Sequence, residues 1–248
     1  MDLLIIGNGF DLQCGLKSDY KSFIKWLRED TARSNDNLWA VHFTNRPTED
    51  LLWIDVETVL QEAISGRDPV VRQWAVAAVY SHNKIEKRWF HKFRGEEFKY
   101  IENRIKDIDG DTYPFKTDWS PDKLTVDIST FDWFLDELKA FERQFSEYLK
   151  LEVTNSACYL ENSVELTKMI TGGEEVNIIS FNYTNPFSRC RARINSVANV
   201  HGTYEANNII FGVDATATLP PDAHIFTKTH RKMTQTTSFG ILPLDSLH

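Results

Sequence analysis

Two kinds of hydrophobic pattern alternate along this chain, one typical of buried strands and the other of amphipathic helices. A continuous apolar run occupies residues 3–6 and ends in glycine, and a second, mostly apolar run occupies residues 176–181 and ends in polar residues. Such runs are typical of parallel strands, and the first is predicted to be a central strand covered on both faces. Shorter apolar stretches predict further strands at residues 197–200 and 209–211.

Between the first two predicted strands, the apolar residues recur at helical spacing. Positions three and four apart predict a helix from about residue 19 to 29, with Ser18 as a candidate cap. The polar residues 30–50, which include Pro47, predict a loop. Further helices are predicted over residues 52–66, 70–93, 131–149 and 158–170. The last of these is expected to stop at Gly172.

The order of elements is therefore a strand, a block of helices and several short strands. This order predicts a single α/β domain over residues 1–248, in which a mainly helical insertion occupies about residues 30–173. The apolar runs are too short for a membrane span, and the first strand lacks the basic flank of a signal peptide. We therefore expect a cytoplasmic protein that does not cross a membrane.

Charge, cysteine content and missing motifs narrow the classes of function. The 248 residues include 36 acidic and 28 basic side chains, for a formal net charge of −8, which disfavours nucleic acid as a partner. A hydrophobic fraction of 42% and an aromatic fraction of 12% exclude intrinsic disorder. Cys14, Cys158 and Cys190 form no C-x-x-C pair, so we expect reduced thiols and no metal site. The chain also lacks the G-x-S-x-G elbow of α/β-hydrolases and the Walker A loop of P-loop NTPases.

The turn after the first strand carries two glycines, in the sequence Gly-Asn-Gly-Phe-Asp over residues 7–11. Glycines between a strand and a helix permit unusual dihedral angles and let a phosphate approach the backbone amides at the helix N-terminus. The dinucleotide pattern G-x-G-x-x-G is broken by Leu12, and the next glycine is Gly15. The alternative is an ordinary strand-to-helix turn. Asp11 can contact a ribose hydroxyl or bond the amides of the loop, and Asn8 has the same two interpretations.

Polar residues also follow two of the later predicted strands. Because ligands of open α/β folds bind at the carboxyl ends of parallel strands, Asn182 is a candidate to hold a water or a substrate hydroxyl. A helix start capped by Thr184 or Asn185 explains those two residues but not Asn182. His201 follows a predicted strand in the same way and is either a candidate base or a structural histidine.

A series of short motifs runs in order along nearly the whole chain. It opens with residues 4–11 (Leu-Ile-Ile-Gly-Asn-Gly-Phe-Asp), Gly15-Leu16, Ser18, Tyr20 and Phe23. It continues with residues 53–57 (Trp-Ile-Asp-Val-Glu), 181–184 (Phe-Asn-Tyr-Thr), His201-Gly202, 210–212 (Ile-Phe-Gly) and 226–229 (Phe-Thr-Lys-Thr). The ordered series resembles the AbiH family of bacterial abortive-infection proteins. That resemblance implies a defence against phage in which the infected cell is arrested or sacrificed.

Part of the same series is similar, more distantly, to the nucleotide-binding elements of sirtuin-like domains. Those domains share the glycine spacing and place a catalytic Asn where Asn182 stands and a catalytic His-Gly where His201 stands. The similarity implies a Rossmann-like, sirtuin-like parallel sheet with a large helical insertion, across which NAD or a related nucleotide binds. The nucleotide-contacting residues that it implies are Gly7, Asn8, Gly9, Phe10, Asp11, Gly15, Tyr183, Thr184 and Gly202.

The reaction implied by this similarity is hydrolysis of the nicotinamide–ribose bond of NAD. Its catalytic residues are Asn182, which holds the attacking water, and His201, which acts as the base. The amides of residues 7–9 take the pyrophosphate. Depletion of NAD accounts for growth arrest.

Departures from these family patterns keep other functions open. Thr184 stands where sirtuin-like domains usually carry an acid, and no cysteine follows His201, so the zinc module of protein deacylases is absent. AbiH-like chains usually continue to another strand, whereas this chain stops at His248, which implies a shortened or diverged C-terminal part. The alternative to an enzyme is a non-catalytic nucleotide sensor, or a defence protein that acts through a protein partner or a phage-derived trigger. Either kind of protein is compatible with an oligomer.

Overall fold

A computed structural model describes residues 2–46, 56–64, 128–189, 194–213 and 221–235 of the chain. Within these ranges the protein is mixed α/β, with three parallel strands in one sheet and eight α-helices. The strands are β1 (Asp2–Ile6), β2 (Val176–Ser180) and β3 (Ile194–Asn199). The predicted α/β class is confirmed, while the Rossmann-like arrangement and the single-domain division stay predictions.

Most of the described helices lie between β1 and β2 along the chain. The helices before residue 65 are α1 (Gly9–Gln13), α2 (Tyr20–Arg28), α3 (Thr31–Ser34), α4 (Leu38–Thr44) and α5 (Val56–Ile64). The later helices are α6 (Ile128–Asn155), α7 (Tyr159–Thr171) and α8 (Lys228–Gln235), with 3-10 turns at Pro186–Arg189 and Pro221–Phe226. The helix predicted over residues 70–93 and the first part of the one predicted over 52–66 lie outside the described residues.

The sheet brings the carboxyl ends of its three strands to one edge. The strand order is β1-β2-β3, and Ile6 pairs with Ser180, which pairs with Asn199. β2 is therefore the middle strand of the described sheet. The prediction that the first strand is central and covered on both faces is wrong for this part of the chain, because Leu3 and Ile5 are 59% and 61% exposed. Alternation along the strand places both side chains on the face opposite the covered one.

Two hydrophobic clusters fill the interior of the described fold. The smaller cluster lies on the covered face of the sheet and includes Ile6, Phe10, Leu16, Tyr159, Ile178 and Phe187. The larger cluster packs α2, α4, α5 and α6 against residues 209–213, and its aromatic members include Phe23, Phe43, Phe141, Phe145 and Phe211. The ring centroids of Phe23 and Phe145 lie 4.9 Å apart in an edge-on arrangement, which is favourable for aromatic pairs.

The helices predicted from the later part of the chain are confirmed. α6 contains the stripe predicted over residues 131–149, and its buried members are Phe134, Leu138, Phe141, Phe145 and Leu149. Off-stripe residues such as Asp136 and Glu147 are exposed, as an amphipathic helix requires. α7 ends at Gly172, whose φ of 59° is the left-handed conformation of a helix C-cap.

The loop predicted over residues 30–50 is wrong for its described part, because α3 and α4 form there. The polar residues cap these helices: Asp30 accepts from the Ala32 amide at 2.7 Å, and Asn37 accepts from the Ala40 amide at 2.8 Å. The residues from 38 to 43 are all buried, so α4 has no polar face to mark it in the sequence. A short buried helix therefore escapes detection by periodicity.

Two further predictions are corrected by local contacts. Asp19, and not Ser18, caps α2, since its carboxylate accepts from the Ser22 amide at 2.8 Å. Ser18 instead donates a hydrogen bond to the side chain of Asn8. Residues 209–211 form no strand in the described sheet, although all three are buried. A short apolar run does not distinguish a strand from a buried connecting segment.

Candidate functional site

Three chain segments that are distant in sequence meet at the carboxyl edge of the sheet. The Phe181 amide donates to the Ile6 carbonyl at 2.9 Å, which places the end of β2 beside the glycine turn after β1. The Val200 amide donates to the Ser180 carbonyl at 2.8 Å, which places the end of β3 beside the end of β2. The glycine turn, Asn182 and His201 therefore follow adjacent strand ends. We refer to this region as the strand-end site.

Asn182 carries the least satisfied side chain in the strand-end site. It is 1% exposed, and neither its Oδ1 nor its Nδ2 has a hydrogen-bond partner within the described residues. Its backbone is fixed, because its amide donates to Ser180 Oγ and its carbonyl accepts from Asn199 Nδ2, each at 3.2 Å. Buried polar groups in folded proteins are usually paired. The side-chain amide of Asn182 is thus held in place by its fixed backbone and can offer a ligand one donor group, Nδ2, and one acceptor, Oδ1.

Asp11 lies in the interior of the fold next to the segment that contains Asn182, and it is fully buried. Its carboxylate accepts from the Tyr159 hydroxyl at 2.8 Å and from the Thr184 hydroxyl at 2.8 Å. The sequence left open a contact with a ribose hydroxyl or with the loop amides. In the structure the side chain bonds two hydroxyls inside the fold and not the loop amides, and its contact with a nucleotide stays a prediction. These hydrogen bonds tie α1 to α7 and to the segment after β2.

The environment of Asp11 changes its ionisation. Burial raises the pKa of this carboxyl from 3.8 to about 6, and the charge of Glu205 adds to the rise. The hydrogen bonds from Thr184 and Tyr159 oppose the shift in pKa, since they stabilise the charged form. Burial, with the nearby Asp11 charge, also holds the pKa of Tyr159 far above its ordinary value, so this hydroxyl remains a donor.

The glycine turn is exposed and open. Neither Gly7 nor Gly9 has a positive φ, so neither residue uses the dihedral angles that glycine alone adopts freely. A Cβ atom at either residue would meet no other atom within 4 Å. Gly15, with φ of 87°, is the glycine that the turn geometry requires. Gly7 and Gly9 thus leave access to the backbone, and Asn8 beside them is held by Ser18.

Two of the residues expected to contact a nucleotide are used for packing. The Phe10 ring lies 5.4 Å from the Phe187 ring, centroid to centroid, within the smaller cluster. The Tyr183 hydroxyl lies 3.1 Å from the Tyr20 hydroxyl, and the Tyr183 ring packs edge-on against Phe145. Burial raises the pKa of Tyr183 well above its usual range. Both side chains pack against the hydrophobic clusters next to the strand-end site.

His201 sits on a tightly packed loop. Its ring is half-buried and lies 5.6 Å from the Phe181 ring and 6.1 Å from the Tyr183 ring, centroid to centroid. The next residue, Gly202, has φ of 78°, and a Cβ atom there would fall 2.0 Å from the Asn208 carbonyl oxygen. Only glycine fits this position, so the loop fixes the backbone of His201.

Two residues of the strand-end site were missed in the sequence analysis. Asn199 ends β3, and its Nδ2 donates to the carbonyls of Asn182 and Thr184, each at 3.2 Å. Its position near the end of a predicted strand was a usable signal. Tyr159 binds Asp11 from a helix in the middle of the chain, and no local pattern identifies it.

The described residues supply two observations about other kinds of site. Among them, no group of three or more His, Cys, Asp or Glu side chains is placed to hold a metal ion. No helix in the same parts of the chain is both long and apolar enough to cross a bilayer. Cys14 is buried and Cys158 exposed, and both are free thiols, while Cys190 lies outside the described residues.

The fold and the site define an α/β protein with polar residues gathered at the carboxyl ends of parallel strands. A family model described as "Bacteriophage abortive infection AbiH" matches residues 3–240. The chain belongs to the AbiH family, which indicates a role in abortive infection, and the resemblance seen in its motifs is confirmed. Comparison with curated proteins gave no match, and neither did comparison with solved structures. The similarity to sirtuin-like domains stays a prediction.

Proposed function

We propose that this AbiH protein is a nucleotide-binding effector of antiphage defence that hydrolyses the nicotinamide–ribose bond of NAD. The observation that carries the proposal is the buried Asn182 amide, whose donor and acceptor both lack a partner in the described chain. An unmet buried polar group costs free energy, which a bound ligand or water recovers. A ribose hydroxyl or a water molecule offers the donor and acceptor that this amide needs.

The glycine turn supports nucleotide binding beside Asn182. Gly7 and Gly9 are exposed, and the space where a side chain would stand is open at both. The Gly9 amide opens α1 and therefore has no acceptor within that helix. A pyrophosphate can approach these backbone amides closely, so the acidic net charge of the chain does not prevent binding.

In the proposed reaction, the oxygen of a water held by Asn182 attacks C1′ of the ribose. The bond from C1′ to the nicotinamide nitrogen breaks, and its electron pair leaves with nicotinamide. His201 accepts the proton that the water loses. The transition state resembles an oxocarbenium ion, so the protein acts mainly by orienting the ribose and the water.

A second candidate function is nucleotide sensing without turnover. Thr184 stands where sirtuin-like domains usually carry an acid, and its hydroxyl is buried and donates to Asp11. The Thr184 hydroxyl is therefore bonded to Asp11 inside the fold. A site of this kind keeps the other groups proposed to bind a nucleotide but lacks the acidic group that sirtuin-like domains use at this position.

The decisive experiment incubates the purified chain with NAD and follows nicotinamide release by chromatography. Asn182→Ala and His201→Ala are expected to lower the release at least a hundredfold, since each removes a group assigned to the chemical step. The matched control is Asn177→Ala, an asparagine at the opposite end of β2 whose side chain pairs with Ser196. The control is expected to retain full release.

Binding measured by calorimetry separates the two candidates. NAD that binds the wild-type chain without nicotinamide release supports the sensor, provided that Asn182→Ala weakens the binding. Release that persists in both site variants contradicts the catalytic assignment. If NAD and related nucleotides do not bind at all, both candidates are wrong.

A further inference from the structure

A pocket of about 210 Å³ lies outside the strand-end site, between α6 and the loop after His201. Lys139, Arg143 and Ser146 line one wall from α6, and Asn207 and Asn208 line the other from the loop. Ligand pockets for drug-sized molecules are usually about 300–1,000 Å³. This pocket therefore suits a small group.

The α6 wall presents donors that have either no partner or only an exposed one among the described residues. Arg143 is exposed and makes no hydrogen bond or ion pair with any described residue. Ser146 is buried, yet its hydroxyl bonds to nothing in the described chain, although threonines elsewhere in α6 and α7 bond to helix carbonyls. Lys139 forms an exposed pair with Asp136 at 2.9 Å, which solvent weakens. Two cations and one hydroxyl on one helix face are thus available to a ligand.

The acidic residue of the pocket does not cancel these charges. Glu142 also lines the pocket, but its carboxylate forms a two-point ion pair with the buried Arg231 guanidinium. The Phe211 amide donates to the same carboxylate at 2.6 Å. The charge of Glu142 is therefore neutralised within the fold, and Arg143 and Lys139 leave the pocket positive in a chain whose net charge is −8.

The loop wall adds amide groups and a fixed shape. The Asn208 side chain accepts from the Thr203 amide at 2.8 Å through Oδ1, which directs its Nδ2 donors elsewhere. Gly202 packs against the Asn208 carbonyl, so this wall cannot shift without disturbing the His201 loop. Donors from two walls surround a small volume, as recognition of a multiply charged tetrahedral anion requires.

We infer that this pocket binds a phosphoryl group, with Arg143 as its main ligand, Lys139 and Ser146 as further donors, and the asparagine loop as the opposing wall. The shape of guanidinium matches two phosphate oxygens at once, whereas a lysine provides a point charge. The group is either inorganic phosphate or the phosphate of a small metabolite. This site is separate from the strand-end site and does not depend on the function proposed there.

The test is calorimetric titration of the full chain with inorganic phosphate and, separately, with ribose 5-phosphate and ribose. Arg143→Gln is expected to weaken phosphate binding at least tenfold, because a charge-assisted hydrogen bond is lost. Ser146→Ala is expected to cause a smaller loss. Lys150→Gln is the matched control, since it removes an exposed cation from the same helix outside the pocket and should leave binding unchanged.

Comparison of the titrations with phosphate and with ribose 5-phosphate identifies the source of the phosphoryl group. Tighter binding of ribose 5-phosphate than of phosphate assigns the pocket to a phosphorylated metabolite, and the reverse assigns it to the free ion. Asn182→Ala should bind phosphate as the wild type does, which separates this pocket from the strand-end site. The inference is wrong if phosphate and ribose 5-phosphate fail to bind saturably, or if Arg143→Gln and Lys150→Gln have equal effects. Thermal unfolding of each variant checks that the fold is retained.

Discussion

The carboxyl of Asp11 is both a structural tie and a titrating group. It is buried with two hydroxyl donors and no cation among its hydrogen-bond partners in the described residues, so burial dominates and its pKa rises to about 6. In the unfolded chain this carboxyl loses its proton near the ordinary value of 3.8. Between these two values the folded state binds the proton more tightly. Its contribution to stability is therefore full at low pH and falls as the pH rises to about 6.

This titration predicts a pH-dependent effect of Asp11→Asn. The asparagine carbonyl can still accept from one hydroxyl but carries no charge, so the variant escapes the cost of ionising the site. Relative to wild type, the unfolding free energy of the variant should rise by roughly 2 kcal/mol between pH 4 and pH 6.5. Urea unfolding of both proteins across that range measures the difference. A difference that does not change with pH would show that Asp11 titrates normally in the fold.

Replacement by alanine should have opposite effects on stability at the packed Gly202 and at the exposed Gly7. Gly202→Ala should destabilise the protein by more than about 2 kcal/mol, because its Cβ meets the Asn208 carbonyl and its φ is positive. Gly7→Ala should leave stability within about 0.5 kcal/mol, since its Cβ points into open space. Thermal unfolding measures both variants.

Gly7→Ala also tests the proposed nucleotide site. The added methyl group occupies the space through which a phosphate would approach the backbone, so NAD binding should weaken about tenfold or more. Calorimetry on the folded variant provides the measurement. Unchanged binding would place the nucleotide away from the glycine turn.

Among the elements, α6 and α8 are joined by the buried pair of Glu142 and Arg231. Arg231 also donates to the Phe211 carbonyl, while Glu142 accepts from the Phe211 amide. The backbone groups of Phe211 thus bond to side chains, while the Ile210 amide donates to the His201 carbonyl at 3.0 Å. These bonds explain how the segment at residues 209–211 is buried without joining the sheet. Burial raises the pKa of Glu142, and the Arg231 charge opposes that shift.

Replacing Arg231 alone should lower the unfolding free energy far more than replacing both Arg231 and Glu142. Arg231→Met leaves the Glu142 carboxylate buried and unpaired, and should lower the unfolding free energy by roughly 3–5 kcal/mol. Glu142→Leu combined with Arg231→Met should recover part of that loss. The matched surface change, Lys139→Met, breaks an exposed pair and should cost less than about 1 kcal/mol. Equal losses for the buried and exposed pairs would contradict this account.

The elements that sequence reasoning identified are those with strong periodicity. α6 shows its stripe over five turns, α7 ends at a glycine, and β2 is a mostly apolar run. α3 and α4 were missed because one is a single turn and the other is buried on every side. The segment at residues 209–211 was assigned to a strand because the partners of Phe211 are the side chains of Glu142 and Arg231, which are distant in sequence and which no local pattern records.

For the strand-end site, the positions of the residues could be predicted from the sequence but their contacts could not. Asn182 and His201 could be located because strand ends are marked by a change from apolar to polar residues. Their environment could not be predicted. The Asn182 side chain has no partner among the described residues, and Asp11 accepts a hydrogen bond from Tyr159 on a helix that is distant in sequence. Contacts of this kind depend on the assembled fold.

For the molecule as a whole, the described sheet has one covered and one exposed face. Ile178 belongs to the smaller cluster, whereas Ile5 on the neighbouring strand is largely exposed. Ile178→Thr should lower the unfolding free energy by at least about 2 kcal/mol, because it buries a hydroxyl and removes apolar contact. Ile5→Thr keeps the β-branch and should change it by less than about 1 kcal/mol. Chemical unfolding measures both, and a large loss for Ile5→Thr at high protein concentration only would indicate that a second copy covers this face.

The pairing of β1 with β2 has a consequence for how the protein forms during synthesis. Asp2 pairs with Val176, so β1 leaves the ribosome long before its partner exists. At about 5–20 residues per second, the wait lasts roughly 10–35 s. During that time the intervening helices can fold from local contacts, while the glycine turn has no neighbouring strand end to face. The strand-end site is therefore assembled late, and a nascent chain interrupted before β2 carries the helices without the site.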